Sequence, residues 1–546
     1  MPRIKQPIIQ PEADCTHSER RHGAMDTAIF TVRTIFILLA AAVYAIYEHA
    51  KFQNSGIGAL LLGAASALLF AGRFILEGVL DRRPCDNDTH RAGKTLRIFD
   101  FVSIAVLLGG YAAYVLTYGK EQDIIQELCS SLCLILFTVL GLVVIPGIVR
   151  TLCGRNQRLC GKRVADRSSR FWTVVLIALG IRIVTTFAGM LIYRLTHEGF
   201  GGGLFRLWQE AWSKGNTDAN HYLNIAENWY VAEGNDKLLI VFFPLFPLLI
   251  RALNLIIPNS FISAQILNTI FTCFAAGMLY KLICEVLSES KAFLSSIIFL
   301  LLPGAVFMNS TMTEPLFVLL TCTSLYFMRK KSYLLSGLFA ALSGFTRSVG
   351  ILLIVPIAIE GIGEAVYLLR NKQKAGGTIL RLIGGLGISC TGTGAYLLIN
   401  KLVTGNAFMF SVYQKSNWSQ SIGYFFDTPR YMYAHAAHYA TSGDYAHLMV
   451  FALPTLAVIF ASLIIYLIRA KRLPASFNAY FLAYFVIAIG CTWLLSAVRY
   501  ICVLVPFIAA IALLPKKKAG ECATIGLCAV MYCAYMCCYM LRYSVF

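Results

Sequence analysis

Asp218 is the residue of this sequence best suited to act as a general base. It opens the segment Asp218–Glu227, in which helical spacing puts Tyr222, Ile225 and Ala226 on one face. Asp is also a preferred N-cap residue, so a capping role explains the same position. A sugar hydroxyl is a poor nucleophile, and a positioned carboxylate can accept its proton as a new bond forms. The segment therefore leaves two interpretations, a helix cap or a catalytic base.

Glu314, Arg347 and Arg499 lie at the ends of apolar segments further along the chain. Each arginine either snorkels to lipid headgroups or binds an anion such as a phosphate, which its planar donor fork fits. A cation there would stabilise charge that develops on a leaving phosphate. Glu314 is either favourably placed at a helix N-terminus or in contact with a sugar hydroxyl or with Arg347.

A second set of polar and aromatic residues is predicted to bind substrate beside these groups. It comprises His221, Tyr222, Glu227, Tyr413, Gln414 and Trp418. The last three are expected to cover the site, although aromatics in a membrane protein also form interfacial belts. Arg182 lies in the middle of an apolar run, where charge is expensive, and we expect it to pair with a carboxylate for structural reasons.

The composition indicates which elements position these residues. The chain is 58% hydrophobic and 14% charged, whereas soluble proteins carry about 25% charged residues. Apolar runs of about 20 residues recur along the chain, and in lipid they must be helices. The net charge of +19 lies in short loops, which indicates cytoplasmic loops beside anionic lipids rather than nucleic-acid binding. The predicted fold class is an all-α transmembrane protein.

We predict about 15 membrane spans from apolar length and loop charge. They are 27–48, 57–80, 98–118, 124–149, 171–195, 261–284, 291–310, 313–328, 332–347, 349–369, 379–402, 446–468, 475–496, 499–514 and 520–541. The run 240–256 contains two prolines and Arg251, and we expect it to lie flat at the interface, because a crossing there would put every later basic loop outside.

This topology divides the chain into three parts. Residues 1–150 form a four-span N-terminal extension of unknown role, 151–170 a basic cytoplasmic loop, and 171–546 the functional module. Within the module, 196–260 and 403–445 are outer loops, so the candidate site faces the extracytoplasmic side. The 17 cysteines lie mostly in apolar runs, where they pack as small apolar residues. We expect neither a metal site nor a disulfide framework, nor a cleavable signal peptide.

Several motifs occur in a fixed order and resemble a known family. They are Asp-x-x-x-Tyr-Leu-x-Ile-Ala from Asp218, Phe-Phe-Pro-Leu-Phe-Pro-Leu-Leu-Ile-Arg at 242–251, Thr-Glu-Pro-Leu-Phe at 313–317, Thr-Arg-Ser-Val-Gly at 346–350, and Arg499-Tyr500 before 503–506. Over residues 170–515 the sequence resembles the PIG-V-like mannosyltransferases of glycosylphosphatidylinositol (GPI) assembly. It departs from the family pattern at Thr217 and Ala219, where the family has Trp and Gly, and at His221, which replaces an aromatic position.

The resemblance implies a fold and an activity. The family belongs to the GT-C class of multi-span transferases, which use a polyprenyl- or dolichyl-phosphate sugar as co-substrate and invert the anomeric centre. By this resemblance Asp218 is the base, the donor is lipid-phosphate mannose, the acceptor is a lipid or glycan, and no further cofactor is needed. A transporter or flippase for a lipid-linked sugar is the alternative. The expected location is a bacterial plasma membrane, or the endoplasmic reticulum in a eukaryotic host.

Overall fold

The structure is a computed structural model whose described residues are helical almost throughout. They are 15–52, 56–80, 124–155, 170–197, 200–213, 217–494 and 496–543, with Thr95 and short stretches between 98 and 111. The bridge between Ile422 and Cys491 is isolated, so the all-α fold class is confirmed for this part of the chain. The chain forms two compact units, 1–121 and 122–546.

The smaller unit is built on a helical hairpin. Helices Cys15–Phe52 and Ile57–Leu80 pack against each other. Arg73 on the second helix donates to Asp100 Oδ1 at 2.6 Å and to Glu77 Oε2 at 2.9 Å. Of the residues between the predicted spans 57–80 and 98–118, the structure describes only Thr95.

The larger unit is a bundle of long and short helices. Its α-helices of eight or more residues are Ile124–Leu152, Phe171–Thr196, Leu204–Ser213, Ala219–Asn228, Leu245–Asn254, Ser260–Cys284, Glu289–Leu301, Glu314–Arg329, Tyr333–Gly344, Ile354–Arg370, Gly376–Thr404, Met409–Trp418, Asp427–Ser442, Leu453–Arg469, Ala475–Ile489, Val505–Ala512 and Lys518–Met540. Shorter turns include Asn235–Val241, Pro303–Met308, Ser348–Leu353 and Ala497–Cys502.

Within the described residues, nine helices are long and apolar enough to cross a membrane. They are Gly23–Phe52, Ile57–Glu77, Ile124–Leu152, Phe171–Thr196, Ser260–Cys284, Ser348–Arg370, Gly376–Thr404, Tyr445–Arg472 and Lys518–Met540. Several expose large apolar side chains, as Leu195 and Leu402 do, which suits lipid as the surrounding solvent. The chain is thus a multi-pass helical membrane protein by length and composition.

Four of the other predicted spans correspond to shorter helices, whereas the predicted span 98–118 lies partly outside the described residues. Glu289–Leu301, Glu314–Arg329, Tyr333–Gly344 and Ala475–Ile489 have 12 to 16 residues, or about 18–24 Å, against a hydrocarbon core of about 30 Å. The predicted span 499–514 is interrupted at 503–504. The total of about 15 crossings therefore stays a prediction, as does the interfacial position of the ten-residue helix Leu245–Asn254.

The helix Ile124–Leu152 packs within the larger unit. It contacts the helices that begin at Ile354, Asp427 and Ala475, and its Phe137 ring lies 4.6 Å from Phe425. The division of the chain therefore falls at 121/122 rather than at the predicted 150/151, because this helix has an apolar partner surface in the larger unit. Residues 156–169 of the predicted basic loop lie outside the described residues.

Two helices approach each other closely through glycines and fix the chain just before Arg347. A Cβ atom at Gly337 would lie 2.1 Å from the Gly385 carbonyl oxygen, and one at Gly392 would lie 1.7 Å from that of Ala341. Small residues allow such backbone contact between membrane helices. The helix Tyr333–Gly344 is thereby held against Gly376–Thr404, which sets the starting point of the turn that carries Arg347.

Candidate functional site

A cavity of about 380 Å³ in the larger unit brings together residues from distant parts of the sequence. Its walls come from six stretches of chain, which are 217–222, 241–243, 307–312, 346–348, 414–420 and 496–500. The lining residues are Thr217, Asp218, His221, Tyr222, Val241, Phe242, Phe243, Phe307, Met312, Thr346, Arg347, Ser348, Gln414, Trp418, Gln420, Ser496, Arg499 and Tyr500.

Asp218 directs its carboxylate to an arginine rather than to its own helix. The residue stands just before helix Ala219–Asn228, yet its side chain makes no capping hydrogen bond there. Instead Oδ2 accepts from Arg499 Nη1 at 2.9 Å, and 34% of the side chain is exposed to the cavity side. The capping interpretation is therefore wrong for this side chain, and the carboxylate remains within reach of a bound molecule.

Glu314 forms an ion pair with each of the two site arginines. Its Oε1 atom accepts from Arg347 Nη1 and from Arg499 Nε, and its side chain is fully buried. Arg347 also donates to Thr313 Oγ1 at 3.1 Å. The predicted contact between Glu314 and Arg347 is thus present, and Arg499 shares it. Glu314 is not among the residues that line the cavity, so its contacts there are with the arginines, and a contact with a sugar hydroxyl stays a prediction.

The two arginines are held in place and do not snorkel. Their side chains are 13% and 7% exposed, for Arg347 and Arg499 respectively. The Arg347 guanidinium lies 5.5 Å from the Tyr500 ring centre, and that of Arg499 lies 5.3 Å from the Phe307 ring centre, close enough for cation–π attraction. Together with Asp218 and Glu314, the two arginines form a cluster of two positive and two negative groups, so no large unpaired charge is buried.

A second part of the cavity lining is aromatic. The Phe242 ring lies 4.9 Å from that of His221, 5.4 Å from Tyr222 and 6.2 Å from Trp418. Burial raises the pKa of the Tyr222 phenol above its usual range, so this hydroxyl stays protonated at neutral pH. The amide of Gln414 also reaches the cavity. This part of the lining offers ring faces and neutral hydrogen-bonding groups, whereas Asp218 and the two arginines offer charges.

Two residues predicted to bind substrate lie away from the cavity. Glu227 is exposed near the end of its helix, and Tyr413 precedes Gln414 without contributing to the cavity wall. The prediction for both rested on residue type. On their helices, Glu227 lies on a different face from Tyr222, and Tyr413 lies on a different face from Gln414.

The sequence did not lead us to predict several other residues that line the cavity. Thr346, Ser348 and Tyr500 stand within the quoted motifs, so the motifs could have predicted them as site residues. Gln420 and Ser496 stand in no such motif, and both lie in irregular segments whose course only the fold determines.

Arg182 does not have the carboxylate partner that we predicted for it. Its guanidinium donates to Thr269 Oγ1 at 2.7 Å, to Gln265 Oε1 at 3.0 Å, to Asn309 Oδ1 at 3.0 Å and to the Met308 carbonyl oxygen. Every one of these acceptors is neutral. The expectation was wrong because polar side chains and a backbone carbonyl supply enough acceptors to satisfy the buried cation.

The site residues and the basic residues lie at opposite ends of the same helices. Glu314 begins a 16-residue helix that ends at Arg329, about 24 Å away. Likewise Arg347 precedes the segment that ends at Arg370. Among the described residues, no group of three or more His, Cys, Asp or Glu side chains is arranged to hold a metal ion. Arg347 and Arg499 supply positive charge at this site.

The comparison with known sequences agrees with the motifs. Residues 168–400 match the mannosyltransferase (PIG-V) family. The resemblance seen in the motifs is confirmed over this region, which contains Asp218, Glu314 and Arg347 but ends before Arg499.

Curated relatives cover a smaller part of the chain. The chain is 34% identical over 165 residues to the GPI alpha-1,6-mannosyltransferase 2 of Cricetulus griseus, covering 28% of this chain and 31% of the relative. The corresponding values are 34% over 145 residues, 24% and 29% for the Rattus norvegicus protein, and 33% over 165 residues, 28% and 31% for that of Homo sapiens. The match thus spans about a third of each relative's length. No solved structure matches the chain significantly.

Proposed function

We propose that this protein is a mannosyltransferase that moves mannose from a polyprenyl- or dolichyl-phosphate carrier to a hydroxyl of a lipid-linked or glycan acceptor. The observation that carries the proposal is the placement of Asp218 beside two buried arginines in one cavity. The family match supports mannose as the sugar. The names of the relatives make a GPI precursor the first acceptor to test.

The proposed reaction is a single displacement at the anomeric carbon of the donor. The acceptor oxygen forms a new bond to this carbon while the bond from the carbon to the phosphate oxygen breaks. The acceptor proton passes to the Asp218 carboxylate, which acts as general base. The phosphate leaves with the bonding electron pair, and the products are the mannosylated acceptor and polyprenyl phosphate. One displacement inverts the anomeric configuration.

The charged side of the cavity suits the leaving phosphate. The phosphate gains negative charge as its bond to the sugar breaks, and donors fixed in advance stabilise that charge most effectively. Arg347 and Arg499 are held by Glu314 and by ring contacts, so they need little reorganisation. Asp218, which accepts a hydrogen bond from Arg499, then lies close to the same reacting centre.

The aromatic side of the cavity suits the sugar. Phe242 and Trp418 offer apolar ring surfaces to the C–H face of a hexose, and the Gln414 and Gln420 amides can bond its hydroxyls. Trp418 and Gln414 lie in the helix Met409–Trp418 of the loop 403–445. In this proposal that loop therefore covers the donor sugar.

We place the active site on the extracytoplasmic or lumenal side. The support is the position of Arg329 and Arg370 at the far ends of the helices that begin near the site, since basic residues favour the cytoplasmic side. In a eukaryotic host the membrane would be the endoplasmic reticulum, and in a bacterial host the plasma membrane. The sequon at Asn417 is exposed, whereas that at Asn309 is buried. A third sequon, at Asn87, lies in a basic loop that this topology puts on the cytoplasmic side. Expression in glycosylating microsomes should therefore modify Asn417 but not Asn87, and the reverse pattern would contradict this topology.

The test of the proposed function is a transfer assay in proteoliposomes. Purified protein receives dolichyl-phosphate mannose labelled with tritium, together with a lipid extract that contains GPI precursors, and dolichyl-phosphate glucose serves as the sugar control. We expect labelled mannose in the acceptor fraction and little transfer of glucose. Rapid movement of the mannose donor across the bilayer without any transfer would overturn the proposal and favour a flippase.

A further inference from the structure

The buried guanidinium of Arg182 makes an unusual set of contacts for a charge inside a membrane helix. Arg182 lies near the middle of helix Phe171–Thr196 and is 4% exposed. Its donors Nε, Nη1 and Nη2 all reach neutral acceptors on other elements. Within the described part of the chain, no carboxylate lies within ion-pair distance of it. Burying a charge at this depth has a high free-energy cost, so the presence of Arg182 here needs an explanation other than charge pairing.

The contacts of Arg182 converge on one irregular stretch of backbone. On one side they reach Gln265 and Thr269 of helix Ser260–Cys284. On the other they reach Met308 and Asn309, which follow the 3₁₀ turn Pro303–Met308. The planar fork thus joins helices Phe171–Thr196 and Ser260–Cys284 to the irregular segment that follows the 3₁₀ turn.

The same segment is fixed by further side chains of the surrounding helices. Asn268 Nδ2 donates to the Ser310 carbonyl oxygen at 2.7 Å and to that of Met312 at 3.1 Å. The Asn309 amide donates to Thr185 Oγ1 at 2.7 Å and to the Tyr532 hydroxyl at 3.1 Å. Residues 308–312 therefore take their shape from side-chain hydrogen bonds, among which those of Arg182 are the charge-assisted and strongest kind.

This segment leads directly into the proposed active site. Phe307 and Met312 line the cavity, and the Phe307 ring lies under the Arg499 guanidinium. The next two residues are Thr313 and Glu314, which accept hydrogen bonds from Arg347. A shift of the segment would therefore move the carboxylate that sets the spacing of both site arginines.

We propose that Arg182 is a positioning residue, which holds the segment Met308–Thr313 and through Glu314 keeps the phosphate-binding arginines at their working distance. This inference rests on the proposed transferase function. Arg182 does not line the cavity, so it touches neither donor nor acceptor. Its contribution is preorganisation, which is realised in the transition state rather than in substrate binding.

The consequence for kinetics is a selective loss of turnover. Displacing reacting groups by about 1 Å costs on the order of 100-fold in rate. We expect Arg182→Gln to lower kcat by about 10- to 100-fold, while the KM for dolichyl-phosphate mannose changes by less than about threefold, since every group that touches the donor remains. A loss of folded protein alone would instead lower the amount of active enzyme without a change in the kinetics of the folded fraction.

Three further variants separate positioning from charge and from general destabilisation. Arg182→Lys keeps the charge but not the fork, and should not restore kcat. Asn268→Ala removes two other anchors of the segment and should lower kcat in the same way. Arg329→Gln is the matched control, because it breaks a buried ion pair with Glu360 at the far end of the helix that begins at Glu314.

The experiment measures kcat, KM and backbone hydrogen exchange over residues 308–314, with each protein purified in nanodiscs. We expect faster exchange in this segment and lower kcat for Arg182→Gln, Arg182→Lys and Asn268→Ala, and neither change for Arg329→Gln. Wild-type kcat in Arg182→Gln, or recovery of kcat in Arg182→Lys, would overturn the inference. If Arg182→Gln does not fold, Asn268→Ala decides by the same criteria. An inactive wild type would refute the proposed function instead, while the exchange data would still report the anchoring.

Discussion

Removing the charge of Glu314 should destabilise the empty protein and make its stability depend on a phosphate ligand. In Glu314→Gln the side chain keeps its shape, so the change is electrostatic and leaves no cavity. Glu314 is fully buried and shared by Arg347 and Arg499. Breaking a buried ion pair by neutralising one partner costs about 3–5 kcal/mol. We therefore expect a fall of several degrees in the midpoint of thermal unfolding.

The same variant should respond more strongly than the wild type to dolichyl phosphate. Without the Glu314 charge, the four-residue cluster carries one net positive charge, so the phosphate replaces the missing anion. A ligand at about 100 times its Kd stabilises a protein by about 2.7 kcal/mol, which would restore most of the loss. The assay is thermal unfolding in nanodiscs across a titration of dolichyl phosphate.

Glu360→Gln is the matched control for this prediction. It neutralises the buried partner of Arg329 on the same side of the bundle as the basic loops, away from the cavity. It should lose stability to a similar extent without gaining any extra response to dolichyl phosphate. An unchanged unfolding midpoint in Glu314→Gln, or an equal response of both variants to the ligand, would refute the reasoning.

Two further predictions concern helix packing and the aromatic wall. Gly392→Ala should lower the unfolding midpoint, because its Cβ would lie 1.7 Å from the Ala341 carbonyl oxygen and such overpacking costs about 1–3 kcal/mol. Gly387→Ala, in open space on the same helix, should be neutral or gain up to about 1 kcal/mol; equal losses would contradict the packing. Trp418→Ala should raise the donor KM by up to about tenfold, since ring contacts contribute about 0.5–1.5 kcal/mol. Tyr413→Ala, one turn away and off the cavity, should leave it unchanged, and equal effects would argue against Trp418 as a sugar contact.

The sequence predicted the positions of most helices and the membership of the central cluster. Apolar runs set the helix positions, and Asp218, Glu314, Arg347 and Arg499 were found because each stands in a recognisable motif. Helix length was less predictable. The run 291–310, for example, ends its α-helix at Leu301 before Pro303, and the chain continues as a 3₁₀ turn. Hydropathy does not register such local backbone preferences.

The roles of individual polar residues depended on contacts that no sequence pattern contains. Asp is a residue type preferred at helix N-caps. The Asp218 carboxylate instead accepts a hydrogen bond from Arg499, which is 281 residues away in the chain. We predicted a carboxylate partner for Arg182 because an unpaired charge in a membrane helix has a high free-energy cost. In the structure, the Arg182 guanidinium instead donates to neutral acceptors from two other segments. Long-range hydrogen bonds of this kind are properties of the packed bundle.

The most direct test of the central claim is the initial rate of mannose transfer from dolichyl-phosphate mannose by Asp218→Asn. Glu227→Gln, an exposed acid on the same helix and off the cavity, is the matched control, and both variants must retain the wild-type unfolding midpoint to within a few degrees. If Asp218 is the base, transfer by Asp218→Asn should fall by about 10²–10⁴-fold with donor binding retained, while Glu227→Gln keeps the wild-type rate. A wild-type rate in folded Asp218→Asn would contradict the claim.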